Sequence, residues 1–356
     1  MRREIDFRYR VLRSGAMFGE LHAFPDASAP VIRMDDSAEI KTSLSGSFLP
    51  TVTDADGKPV EADWLSDEIQ PVMIIDGVEH TLGVYAAATV TPSRSQGAES
   101  MRIEAYDRCW RVRDLYTTNR LYLEAETAYL TPIKAILQNS GVKLIMATPT
   151  AATLSEDRQD WDPGTSCLSI VNELLGEINY NPLWFDDNGY AILSPVQTPS
   201  VDNIKHTLDA DDVSSLMIPQ ISMESDYYSA PNVFLCMCSN PDKSGPMTAT
   251  AENNNPQSPI SIPRRGRRIV KVVQVNNIAS QEALQDYADK LRNDSLIGGE
   301  TIRIQTGLLP GFGVADVVAL HYGDISALCV ERAWTMELRV GGTMQHVLER
   351  VVYNLG

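Results

Sequence analysis

The stretch PVMIIDGVEHTLGVYAAATV, residues 71–90, constrains the fold more than any other part of the chain. Two apolar-rich runs meet at Asp76-Gly77, and that pair supplies the positive φ angles of a tight hairpin turn. Around it, FRYRVL and IKTSLSGSF read as further short strands, so residues 1–105 are expected to be β. The DADG at residues 54–57 begins like a calcium loop. It lacks the later oxygen ligands and the terminal Glu, which makes it a polar turn.

After residue 105 the period changes from two to helical. Thr131-Pro132 reads as a helix start, Ile133, Ile136 and Leu137 recur on one face, and Gly141 ends the helix. A second helix follows Thr165 and Ser166 and places Leu168, Val171, Leu174, Leu175 and Ile178 on one side. PLWFDDNGYAILSP then forms a hairpin turning at Asn188-Gly189. Residues 106–198 are therefore expected to be a small α/β domain of two helices and a hairpin.

Residues 199–356 return to β, with NVFLCMC, RIVKVVQV, TIRIQT, VADVVAL and a last hairpin turning at Gly341-Gly342. One helix, 280–295, is capped by Ser280 and lined by Leu284, Tyr287, Ala288 and Leu291. The segment 244–263 is rich in Pro, Asn, Ser and Gly, and predicts a long, mobile, exposed loop.

Chemistry is sparse. Cys109, Cys167, Cys236, Cys238 and Cys329 are scattered and odd in number, which disfavours a disulfide framework. Cys236 and Cys238 form C-x-C without a second ligand pair. Alternate residues of a strand share a face, so both are expected as buried thiols rather than metal ligands. The histidines (22, 80, 206, 321 and 346) show no metal spacing, and no phosphate loop or nucleophile elbow is present. PGFGVAD has Asp316 where a dinucleotide fingerprint needs its third glycine. The carboxylates of EADWLSDE are expected to be solvated. No catalytic residue, metal or cofactor is expected. The 356 residues carry 47 Asp and Glu against 30 Lys and Arg, a net charge of −17, which disfavours binding nucleic acid by phosphate neutralisation. No apolar run is long enough to span a bilayer, and MRREIDFRYR has no apolar stretch behind it, so a cytosolic site of synthesis is expected. The most basic patch, PRRGRR, offers Arg264, Arg265, Arg267 and Arg268. In so acidic a chain they favour a subunit contact over phosphate.

Three features, in this order, resemble the phage tail hub family: the baseplate hubs of contractile tails and injection machines, and the tail-tip hubs of long flexible tails. The first is AEIKTSLSGSFLP followed by DEIQPVMIIDGVEHTLGVYAAATV, with Ile75, Asp76, Gly77, Leu82 and Gly83 in the hairpin of an opening barrel. The second is IEAYDRCWRV followed by TAYLTPIKAILQNSGV and SCLSIVNELLGEINYNPLWFDDNGYAILSP. The third is the run from ASQEALQDYADKL to GVADVVAL, where GFGVADVV departs from the family's plain Gly-Asp.

The resemblance implies a mainly β chain with an α+β insertion: two related tube-like β-barrel domains, 1–105 and 199–356, around the α/β domain. It implies a homotrimer that closes a ring of six similar units and adapts the sixfold tail tube to a threefold tip. A tail tube or distal tail protein would lie above, a tip or spike protein below, and DNA would pass through without specific binding. The location implied is the virion's tail tip or baseplate, with synthesis in the bacterial host cytoplasm. Some relatives append a peptidase or muramidase, which is expected to be absent after VVYNLG. Tyr106 and Asp107 would mark the first domain's end, with Trp110 packing the junction and Arg108, Arg111 and Arg113 expected as subunit contacts to acidic neighbours. The alternative is a glycan or cell-wall hydrolase with an unrecognised carboxylate pair. A carboxyl of raised pKa in a deep cleft would favour it.

Overall fold

The computed structural model describes every residue except 1–2, 26–27, 96–97, 226–229, 239–246, 276–280 and 352–356. It divides into two compact units. The first is Met1–Thr198 with Gly307–Val314 and Ala333–Met344; the second is Pro199–Thr306, Ala315–Arg332 and Gln345–Gly356. The first unit thus holds both the 1–105 and 106–198 segments. It also takes two pieces that the sequence reading placed with 199–356.

The first unit opens with ten antiparallel strands: β1 (Ile5–Arg13), β2 (Ala16–Leu21), β3 (Val31–Asp35), β4 (Thr42–Phe48), β5 (Val52–Thr53), β6 (Pro59–Val60), β7 (Glu68–Ile75), β8 (Val78–Thr81), β9 (Tyr85–Ser95) and β10 (Ala98–Asp107). Pairing runs β4–β10–β9–β7–β1–β2. The circle closes where the chain leaving β2 meets the end of β4. There Ala23 bridges Phe48, Phe24 N–H donates to Ser47 at 2.9 Å, and Leu49 N–H donates to His22 at 2.8 Å. Closure joins the two ends of this run and, among the described residues, leaves only the short strands β6 and β8 as edges. Inside it Val11, Leu21, Ile32, Phe48, Ile69, Met73 and Ile103 are fully buried.

The Asp76-Gly77 turn has φ of 49° and 83°, both positive, as a tight hairpin of this type needs. Its return run is not one strand. Gly83, at φ +100°, breaks it, so that β8 pairs with the outer part of β7 and β9 with the start of β7. A Cβ on Gly83 would lie 2.6–2.9 Å from the Tyr85 ring and hydroxyl, so only glycine fits.

The insertion comprises α1 (Cys109–Asp114), β11 (Leu121–Leu123), α2 (Leu130–Asn139), β12 (Ile145–Ala147), β13 (Arg158–Trp161), α3 (Cys167–Glu177), β14 (Trp184–Phe185) and β15 (Ala191–Leu193). Ile133 and Leu137 of α2 meet Leu168, Val171, Leu174 and Leu175 of α3 in one core. The helix α2 starts one residue before Thr131, which therefore sits in its first turn rather than capping it.

In the second unit β16 (Ile204–Asp209), β17 (Met217–Ser225), β18 (Val233–Cys238), β19 (Met247–Glu252), α4 (Ile262–Arg265), β20 (Val270–Val275), α5 (Gln281–Leu296), β21 (Ile297–Gly307), β22 (Val317–Tyr322), β23 (Ile325–Glu337) and β24 (Thr343–Val351) follow. From Ala333 onward β23 belongs to the first unit, where it pairs with β3. One sheet runs β17–β21–β24–β23–β22–β16 and another β19–β18–β20. The helix α5 covers the smaller sheet through Leu284 and Ala288, which pack on Cys236, Cys238, Ala249 and Ala251. Both thiols are buried on one face, and among the described residues no cluster is placed to hold a metal. Ser280 lies outside the described residues.

The expected loop at 244–263 is corrected by this arrangement. Residues 247–252 are β19, hydrogen-bonded along its length to β18. Residues 253–261 are an ordered turn, with Asn253, Ser258, Ile260 and Ser261 buried. MTATAE alternates small residues, and their modest apolar area suffices once α5 covers them. Residues 244–246 lie outside the described residues.

Candidate functional site

The run AYDRCWRVRD leaves the barrel at the end of β10 and turns at once into α1. Asp107 makes the turn possible. Its carboxylate accepts from Thr42 N–H at 2.8 Å, Thr42 Oγ1 at 2.9 Å and Cys109 N–H at 2.9 Å. Burial nevertheless raises its pKa, and it also pushes the Cys109 thiol well up. Arg108 then reaches back to β7. Its Nε and Nη2 donate to both oxygens of Glu68 at 2.9 and 2.6 Å, while Nη1 donates to the Gly189 carbonyl at 2.8 Å. Only 11% of the Arg108 side chain and 6% of the Glu68 side chain are exposed. This buried fork therefore ties the barrel to the Asn188-Gly189 hairpin of the insertion.

Further contacts complete the joint. Gly83 N–H donates to Asp187 at 2.9 Å, and Thr81 Oγ1 donates to Asn188 at 2.9 Å. Arg111 adds a 3.3 Å ion pair to Glu68 and a bond to Ser66 O at 3.2 Å. Arg113 pairs with its neighbour Asp114, and Trp110 lies 6.5 Å from the Tyr106 ring. Glu68 was missed by the sequence reading, which placed EADWLSDE in solvent. Asp67 and Glu68 are instead 1% and 4% exposed, and Asp67 takes a fork from Arg13 at 2.9 and 2.7 Å that holds its carboxyl below the usual range. The signal was their place at the head of an apolar strand, where one face must turn inward.

The second unit contains a row that resembles hydrolytic machinery. Thr306 Oγ1 lies 3.0 Å from His346 Nε2, and His346 Nδ1 lies 2.9 Å from Glu331 Oε2. Hydroxyl, imidazole and carboxylate stand in the order that nucleophilic hydrolases use. All three residues are at most 1% exposed, so no substrate reaches the hydroxyl as the row stands. Desolvation raises the pKa of Glu331. Among the described residues the carboxyls raised by burial are Asp107 and Glu331, and each is closed to solvent rather than set in an open cleft.

PRRGRR forms α4 and its exit. Ile262–Arg265 is one helical turn, ended by Gly266 at φ 63° in the left-handed region. The four arginines part company. Arg268 pairs with Glu252, and Arg265 Nη1 donates to the Ala230 carbonyl. Arg264 and Arg267 are exposed. With Arg265 and Pro259 they line an open cleft of about 430 Å³.

No family model matches this chain, and no curated protein does. Solved structures do. A tail protein from Neisseria meningitidis MC58 is similar at a TM-score of 0.68 and 13% identity, with 96% of each chain covered. The 43 kDa tail protein of prophage MuSo2 from Shewanella oneidensis is similar at 0.67 and 9% identity, with 98% of each chain covered. The E. coli c3393 protein, a type VI secretion component described as structurally similar to the T4 tail proteins gp27 and gp5, is similar at 0.51 and 9% identity. That match covers 99% of this chain and 77% of the other. At these identities the likeness is one of fold.

Proposed function

From a chain that carries the mainly β fold of phage tail proteins from end to end, we propose a structural, non-enzymatic hub of a tail tip or baseplate. The observation that carries this reading is coverage. Both tail proteins are matched over nearly their whole length, so the likeness is not a borrowed domain. Three copies form a ring that adapts a sixfold tube to a threefold tip, with a tube or distal tail protein above and a tip or spike protein below. Exposed strands support contacts between copies. Val270 and Val272 of β20 are 51% and 53% exposed, and β20 is the edge of its sheet. An edge strand with exposed valines favours cover by a neighbour. The charge of −17 supports a wall along which DNA slides without adhering.

The test is reconstitution of the chain with its tube and tip partners, read by native mass and by electron-microscope projections. A threefold ring with a central hole is expected. A stable particle of another symmetry overturns the reading.

A further inference from the structure

The row of Thr306, His346 and Glu331 lies across three neighbouring strands, β21, β24 and β23, and each member is at most 1% exposed. His346 Nε2 stands 3.0 Å from Thr306 Oγ1, and its Nδ1 stands 2.9 Å from Glu331 Oε2. The other carboxyl oxygen, Glu331 Oε1, is closed to solvent and has no hydrogen-bond partner among the described residues. The charges around the row are engaged elsewhere. Asp316, whose carbonyl accepts from Glu331 N–H at 2.8 Å, holds its carboxylate 2.9 Å from Lys205 and 3.2 Å from His206, both on β16. Arg350 of β24 pairs with Glu300 of β21 at 2.9 Å, and Arg332 of β23 pairs with Glu349 of β24 at 2.7 Å. On β22, His321 bonds to Ser326 and Tyr322 to the Pro219 carbonyl. Burial pushes the Cys329 thiol of β23 up to about 12, so it stays neutral. The carboxyl of Glu331 and the ring of His346 are thus each other's charge partner, in a place that water does not reach.

We propose that Glu331 and His346 form a proton-switched clasp: one proton between Oε2 and Nδ1 ties β23 to β24, and its loss, or the gain of a second, opens this part of the sheet. The single proton can sit on either atom without changing the net charge of the pair, which is zero. A second proton makes the pair positive, and the carboxyl oxygen left to carry it, Oε1, has nothing to donate to. Loss of the proton leaves a buried carboxylate with that same oxygen unbonded. Both states hold an uncompensated charge in a closed site, and opening relieves the cost by admitting water. Desolvation acts on Glu331 in the matching sense, since it raises the pKa above the ordinary 4.5. Strength alone does not account for the pair, because apolar residues of similar volume often hold such a position equally well.

The test is hydrogen exchange of the full chain, corrected for intrinsic rates, at the amides of β21, β23 and β24 between about pH 4 and about pH 9. The double variant E331Q/H346Q has no clasp proton and supplies the background of every other group, His206 and Asp316 included. Relative to it, wild-type protection should stand highest in the middle of the range. It should fall towards both ends, by up to about tenfold per pH unit where one proton separates the open from the closed state. The single variants should tilt the profile in opposite directions. In H346Q the lone carboxyl has a pKa raised by burial, so its contribution is complete below the ordinary value and is lost as pH rises through the folded one. In E331Q the lone imidazole resists charging in a closed site. Its contribution is therefore present above the ordinary histidine value of about 6.5 and lost as pH falls below it. Equal loss of protection at every pH in both single variants would mark a plain structural contact and overturn the clasp. A wild-type profile parallel to that of the double variant overturns it as well. Where a variant does not fold, the wild type decides alone. Its Glu331 carboxyl-carbon and His346 ring-nitrogen resonances should shift only at the pH where the β24 amides lose protection, and a shift of either while those amides stay protected overturns the proposal.

Discussion

Glu68 and Arg108 show how a charged pair serves as a structural fastener. With both side chains nearly closed to solvent, loss of one partner strands the other. Glu68→Ala should therefore cost about 3–5 kcal/mol, read as a fall in the urea midpoint, and Arg108→Ala in that background should cost little more. Additive losses would show that the two do not act as a pair. Asp107 yields a prediction in pH. Its folded pKa is raised above the ordinary 3.8, so the fold holds this proton more tightly than the unfolded chain does. That contribution is complete below the ordinary value and is lost as pH rises through the folded one. Asp107→Asn does not titrate, so it should stand lowest relative to wild type in acid and gain on it towards neutral pH. A melting-temperature difference that instead widens against the variant towards neutral would reverse the sign assigned here. AYDRCWRVRD alone predicts arginines that meet acidic groups on another subunit, whereas Arg108 and Arg111 pair with Glu68 of their own chain. The crowding of arginines showed that the site needs positive charge. The partner lay forty residues upstream, in a segment whose acidity resembled solvated loop.

Among elements, the hairpins were the most legible, because Asp76-Gly77 and Asn188-Gly189 announce a backbone that only a few residue types adopt. They differ in surroundings, and substitution should separate them. Gly77→Ala meets open space and costs about 1 kcal/mol for its left-handed φ alone. Gly189→Ala meets Val84 Cγ2 at 2.9 Å and Arg108 Nη1 at 3.0 Å as well, so its urea midpoint should fall further and the barrel joint should loosen. Equal losses at both positions would deny that the second hairpin is clamped. The helix faces of α2 and α3 were legible for a related reason, since a period of 3.6 survives any context. The strand β19 was not, because small residues carry little hydrophobic signal and its partners, β18 and α5, lie on either side in sequence. Its turn hangs on Asn232. Asn232→Ala leaves two carbonyls and one N–H without partners, at roughly 1–3 kcal/mol for each that stays buried. Protease should then cut near residue 260, where wild type resists; equal resistance would show that the turn has other supports.

For the whole molecule, what the sequence reading could not foresee is that the units are not contiguous. Residues 333–337 pair with β3, some three hundred positions away, and Leu338 N–H donates to the Pro30 carbonyl at 2.8 Å. No local pattern encodes such a pairing, because the two partners are far apart in sequence and are matched by burial rather than by a turn. The charge, by contrast, was plain from the start, and it gives the proposed hub its sharpest test. A wall that repels DNA acts only near its surface, since repulsion is screened over roughly 8–10 Å at physiological salt. In the proposed ring, carboxylates turned towards the opening would therefore matter, and those on the outer face would not. Reversing several inner carboxylates to Lys should leave the ring intact and slow DNA ejection, because each new cation adds a phosphate contact that must be broken as the strand advances. Reversing an equal number on the outer face should change nothing. Added salt should restore the inner variant's ejection rate by screening those contacts. Ejection kinetics that are the same for inner, outer and wild-type particles would reduce the −17 to an aid to solubility, and leave the ring without an electrostatic role.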